Sequence, residues 1–114
     1  MAPQPPSRSI GELTSFDVMR HLKETSILCL PLGAIEQHGR HLPLNTDLIV
    51  AERLTQRIVA QSGEAFDVWQ LPELALGLSR EHDWAPGTLS LSVEGFAVRL
   101  RDFARAIVHA LLAR

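Results

Sequence analysis

Apolar residues recur at helical spacing in three places along this chain, with short unbroken or alternating apolar runs between them. Phe16, Met19 and Leu22 mark one side of a helix over 16–23, with His21 off that face. Thr14 and Ser15 offer N-cap oxygens, and Asp17 stands in the first turn, where the helix dipole favours a carboxylate. The run SILCL at 26–30 predicts a buried strand. Pro31 ends its regular pairing, and Gly33 permits a turn or a close backbone approach. Val50, Ala51, Leu54 and Ile58 stripe a second helix over 47–61, with Glu52, Arg53, Gln56 and Arg57 toward water. Asn45 or Thr46 would cap it, and Gly63 suits its C-terminal end. Residues 66–71 predict a second strand closed by Pro72, and 74–86 lack a period and predict a loop. Alternation over 88–92 predicts a short third strand. The last helix carries the widest apolar face: Val93, Phe96, Ala97, Leu100, Phe103, Ala104, Ile107, Val108 and Leu111. Arg99, Asp102, Arg105 and His109 lie opposite, with Ser92 as N-cap.

Strands alternating with helices predict an α/β fold, with a mainly parallel sheet covered by helices on both faces. Two or three strands make a thin sheet, and a closing amphipathic helix normally crosses back to another strand. The pattern therefore predicts an incomplete domain over 14–114, preceded by a Pro- and Ser-rich flexible lead-in over 1–13. A small three-strand domain that ends in a helix is the alternative.

Composition narrows the function classes. With 11 Lys and Arg against 13 Asp and Glu among 114 residues, the chain lacks the basic footprint of a nucleic-acid binder. No apolar run approaches the ~20 residues of a membrane span. The single Cys29 excludes an internal disulfide framework and suits a reducing, cytoplasmic setting.

The chemistry concentrates in EQHGRHLPLNTD at 36–47, between the first strand and a helix. In open α/β sheets, ligands bind at the carboxyl ends of strands. On extended backbone, Glu36 and His38 project to the same side. A carboxylate and an imidazole there make a mixed oxygen and nitrogen site for a divalent cation such as Zn²⁺ or Mn²⁺, and Asp47 could close it from the next helix. Each residue also has an ordinary reading: Asp47 as a helix N-terminal carboxylate, Glu36 as a solvated loop residue, His41 as a packing or supporting histidine.

The run LPLGAIEQHGRHLPLNTD at 30–47 resembles the signature L-P-x-G-x-x-E-Q-H-G-x-H-L-P-L-x-T-D of the creatininase (creatinine amidohydrolase) family. The run GLSREHDWAPGTLSL at 77–91 is similar to that family's G-x-S-x-x-H-x-x-x-P-G-T-x-S block. The resemblance covers nearly the whole chain from about Thr14 onward. It implies a three-layer α/β/α fold and a metal-dependent amidohydrolase with two divalent ions, Zn²⁺ and/or Mn²⁺. Glu36 would bind one ion and His38 the other, with Asp47 bridging. Ser79 falls near a substrate-contacting position, and His82 belongs to the same substrate-binding loop. The resemblance admits creatinine, a formamide group on a nucleotide intermediate, or a peptide as substrate, and a homohexameric assembly.

The family's next motif, N-G-H, supplies a further metal-binding His. Together with a later proton-shuttle histidine it is expected beyond Arg114. The chain therefore reads as the N-terminal half of a creatininase-like domain, apparently truncated. Three donor residues cannot fully coordinate two cations, so this segment alone is expected to be a poor catalyst. The alternative is a non-catalytic remnant or interaction module that keeps a partial metal site. A nucleotide-binding domain is disfavoured, because no G-x-G-x-x-G or P-loop follows the first strand.

Overall fold

The Thr14 hydroxyl accepts the Asp17 N–H at 3.1 Å, and the Asp17 carboxylate accepts the Thr14 N–H at 2.9 Å. This reciprocal capping box starts helix α1, Ser15–His21. The structure, a computed structural model, describes residues 3–112. Met1, Ala2, Ala113 and Arg114, at the start of the expected lead-in and just past the last helix, lie outside the described residues. Of the face expected to turn inward, only Leu22 does. Phe16 and Met19 are exposed, while Val18 packs on the core beside buried Leu22. Val18 and Leu22 lie four apart on one line of the helix. Burying Leu22, where the chain turns toward the sheet, brings Val18 in and leaves Phe16 out.

Strands β1 (Ile27–Cys29) and β2 (Val68–Gln70) pair in parallel, Ile27 opposite Val68 and Cys29 opposite Gln70. A parallel pair needs a long crossover, which helix α2 (Thr46–Phe66) supplies. Regular pairing stops before Pro31, as its missing N–H requires. A single bridge between Leu32 and Leu74 resumes it one residue out of register. The expected third strand at 88–92 does not form. The Leu89 N–H donates to Ile35 at 2.8 Å, whereas the Leu91 N–H donates to Gly77 at 2.9 Å. Its hydrogen bonds go to two separate segments, so no ladder develops.

Helix α2 runs past the expected end. Gly63 lies buried inside it, and Asp67 terminates it in the left-handed conformation, φ 55°. A Cβ at Gly63 would stand 3.2 Å from the Val68 carbonyl, so the glycine serves close helix–strand packing rather than termination. The expected stripe is also turned away from the sheet: Val50 and Leu54 are 60% and 59% exposed. Small residues face the sheet instead. Thr55 is buried, with its Oγ1 3.9 Å from Cys29 Sγ. Close approach of a helix to β2 favours this smaller face.

The other side of the sheet carries the main core. Leu28, Leu30, Trp69 and Leu71 meet Leu22, together with Phe103, Ile107 and Leu111 from the C-terminal helix. That helix, α3 (Val93–Ile107), is capped by Ser92, whose Oγ accepts the Gly95 N–H at 2.9 Å. It passes into a π-helical turn, Val108–Leu112. Of the predicted face, Phe96, Leu100, Phe103, Ile107 and Leu111 turn in, while Val93, Ala97, Ala104 and Val108 stay exposed. With α2 on one face of the parallel sheet and α1 and α3 on the other, the architecture is the three-layer α/β/α arrangement expected.

The segment read as a lead-in is tied to the domain. The Gln70 N–H donates to the Arg8 carbonyl at 2.8 Å, and Ser9 forms a parallel bridge with Gln70. Ile10 and Leu13 pack on the core. Among the described residues, no helix is long and apolar enough to cross a membrane.

Candidate metal centre

The exit of β1 is built against the start of α2. A Cβ at Gly33 would stand 2.8 Å from the Leu48 Cα, so glycine alone permits this approach. Between these points the chain folds back on itself. The Glu36 N–H donates to the Leu44 carbonyl at 3.0 Å, and His38 bridges antiparallel to Leu42. Gly39 turns the chain with φ +76°. This hairpin returns Asp47, in the first turn of α2, to Glu36 and His38. Donor atoms of all three lie within 4.8 Å of one another. The two-residue spacing of Glu36 and His38 thus puts both side chains into one cluster.

His38 is oriented by its neighbours. Its Nδ1 lies 3.0 Å from the Glu36 carbonyl, which can only accept, so Nδ1 carries the proton. In the neutral ring, Nε2 then holds a lone pair, 3.3 Å from Asp47 Oδ1. A lone pair facing a carboxylate calls for a proton or a cation between them. The bond to the Glu36 carbonyl, aided by the nearby Asp47 charge, accordingly raises the His38 pKa. The Asp47 carboxyl facing Glu36, and then burial, raise the Glu36 pKa, while the Ser79 hydroxyl partly offsets them. A divalent cation would relieve both confrontations. Two carboxylates and a bare imidazole nitrogen fit Zn²⁺ or Mn²⁺.

The second sequence block packs beside this cluster. The Gln37 N–H donates to Thr88 Oγ1 at 3.1 Å, and the Ser79 N–H donates to Ser90 Oγ at 2.9 Å. Ser79 is only 1% exposed, and its hydroxyl bonds the Glu36 carboxylate. His82 closes a 3-10 turn, Arg80–His82, with Nδ1 3.1 Å from Gln37 Nε2. Glu36, Glu81 and His82 form a second group with donor atoms within 4.8 Å. His41 is exposed and joins neither group among the described residues. Sequence reasoning passed over Gln37 and Glu81. Alternation along 36–38 turns Gln37 away from Glu36 and His38 and toward the second block. Glu81 adjoins His82 in the chain.

Comparison with known proteins adds a lineage. A creatininase family model, described as creatinine amidohydrolase, matches residues 11–112. A mycofactocin precursor peptide peptidase of Mycobacterium tuberculosis is 32% identical over 103 residues, covering 85% of this chain and 41% of that protein. A creatinine amidohydrolase of Pseudomonas putida is 28% identical over 106 residues, covering 88% of this chain and 39% of that protein. A solved manganese form of creatininase superposes with a TM-score of 0.72 at 27% identity, covering 95% of this chain and 43% of that one. The chain thus spans about two fifths of the length of the curated relatives it matches.

Proposed function

We propose, from the premise that this chain belongs to the creatininase family, that it carries metal ligands of a metal-dependent hydrolase acting on an amide bond. A peptide amide is the first substrate class to test, because the peptidase relative is the more similar of the two described. The carrying observation is the convergence of Glu36, His38 and Asp47, whose donor atoms share a space of 4.8 Å. When bound there, a divalent cation would polarise the scissile carbonyl and acidify a water molecule. The Glu36 carbonyl holds the His38 ring so that Nε2 is presented to the cation. Asp47 lies beside both Glu36 and His38 and would be the carboxylate shared if two ions bind. The Ser79 hydroxyl favours the ionised form of Glu36, and Zn²⁺ and Mn²⁺ are the ions proposed.

Calorimetric titration of the full chain with MnCl₂ and with ZnCl₂ tests the site. Affinity should fall about tenfold or more in Asp47→Asn, and much less in His41→Gln. Equal affinity in Asp47→Asn would overturn the assignment. Hydrolysis is tested on a peptide amide, on creatinine and on a formamide. Metal-dependent product release supports the enzyme reading. Because this segment alone is expected to be a poor catalyst, the assay is repeated with the C-terminal half of a creatininase-family relative added. Metal binding without turnover in that mixture favours the non-catalytic module that keeps a partial site.

A further inference from the structure

The two histidines near Glu36 differ in which nitrogen is available, and their partners decide it. A backbone N–H can only donate. The Gly39 N–H lies 3.0 Å from one terminal atom of the Gln37 side chain, so that atom must be the oxygen, Oε1. The other terminal atom, Nε2, then faces His82 Nδ1 at 3.1 Å. An amide nitrogen only donates, so His82 Nδ1 must be bare and accept. In the neutral ring the proton therefore sits on Nε2. His38 is the reverse case, because its Nδ1 donates to a carbonyl. We infer that Gln37 is a positioning residue that locks His82 in the Nε2–H tautomer, so that His82 takes no metal and serves as a hydrogen-bond donor.

The consequence reaches the second donor group. Glu36, Glu81 and His82 have the residue types and spacing of a cation site. Yet His82 has no bare nitrogen to offer while Gln37 holds it. One nitrogen accepts from the amide and the other carries the proton. The cation is thereby confined to the group containing His38. What His82 can offer a reaction is an N–H, the kind of group that holds an amide carbonyl oxygen. That last role rests on the hydrolase reading, whereas the tautomer does not.

Long-range proton–nitrogen NMR of the ¹⁵N-labelled full chain, well above the titration range of imidazole, reads both rings directly. His82 should show a bare Nδ1 and a protonated Nε2, and His38 the opposite. In Gln37→Glu the side chain can only accept, so the His82 pattern should invert while Gly39 keeps its acceptor. Added Zn²⁺ should shift His38 alone in the parent chain and both rings in Gln37→Glu. In Gln37→Met, which removes the donor without adding charge, His82 should show a mixture of tautomers. A parent His82 protonated at Nδ1, or a His82 pattern that does not move in Gln37→Glu, would overturn the inference. A His38 ring that ignores Zn²⁺ would instead count against the metal site, so the two failures are distinguishable.

Discussion

Replacing Asp67 is the sharpest test of how the lead-in, sheet and α2 are held together. Its carboxylate accepts from Ser26 Oγ at 2.6 Å, Trp69 Nε1 at 2.8 Å and Arg8 at 3.3 Å. The Arg8 guanidinium also stacks on the Trp69 ring, 4.5 Å from its centroid. Trp69 is 1% exposed, and its N–H loses its acceptor when the carboxylate is removed. Stranding that donor costs about 1–3 kcal/mol. Alanine in the left-handed region adds about 1–2 kcal/mol. The ion pair with Arg8 adds little, about 0–1 kcal/mol, because both partners are partly solvated. Asp67→Ala should therefore lose about 2–6 kcal/mol, a large part of a typical stability of about 5–15 kcal/mol. Asp67→Gly relieves the backbone but neither the stranded donor nor the lost ion pair, and should lose about 1–4 kcal/mol. Asp67→Asn tolerates positive φ and keeps an oxygen for Trp69, so it should lose least.

The assay is urea unfolding followed by tryptophan emission, repeated across the acid range. Burial alone would raise the Asp67 pKa, but the bonds from Ser26, Trp69 and Arg8 outweigh it and hold it below the ordinary value. Its contribution is then complete above the unfolded carboxylate range, near pKa ~3.9, and lost as pH falls through the lower folded value. Asp67→Asn should flatten that acid limb. Glu36 has the opposite sign, since its folded pKa is raised. Equal melts for Asp67→Ala and Asp67→Asn, or an unchanged acid limb in Asp67→Asn, would refute this reasoning.

Gly33→Ala would place a Cβ 2.8 Å from the Leu48 Cα, so it should cost about 1–3 kcal/mol and also weaken Mn²⁺ binding by displacing Asp47. A melt and a titration that both match the parent would rule that coupling out. Ser92→Ala should remove the α3 cap and cost about 1 kcal/mol in urea unfolding, with metal affinity unchanged. Protons and cations compete for His38 Nε2, and its raised pKa keeps the proton on to higher pH. Mn²⁺ affinity should therefore fall as pH is lowered through that raised value, and an affinity independent of pH across the imidazole range would contradict the assignment.

Much of this protein is legible wherever the governing interaction is local. Thr14 and Asp17, like Ser92 and the Gly95 N–H, cap their helices within three residues, so sequence spacing determines them. Pro31 ends the regular pairing of β1 by its own missing N–H. The two-residue spacing of Glu36 and His38 aligns their side chains, and Asp47 enters with the first turn of the next helix. Even the parallel order of β1 and β2 follows from the helix between them.

What the fold alone decided depends on partners distant in the chain. The periodicity of α2 marks Val50, Ala51, Leu54 and Ile58 as its apolar stripe, but close packing on β2 leaves Val50 and Leu54 exposed and selects the smaller face with Thr55 and Gly63. Residues 88–92 alternate like a strand, yet Ile35 and Gly77 divide their hydrogen bonds and no ladder forms. The tautomer of His82 is set by Gln37, 45 positions earlier, and the Gln37 side chain is oriented in turn by the Gly39 N–H. Local spacing shows which residue types could bind a cation. Which nitrogen is free to do so depends on donors and acceptors that only the folded chain brings within hydrogen-bond distance.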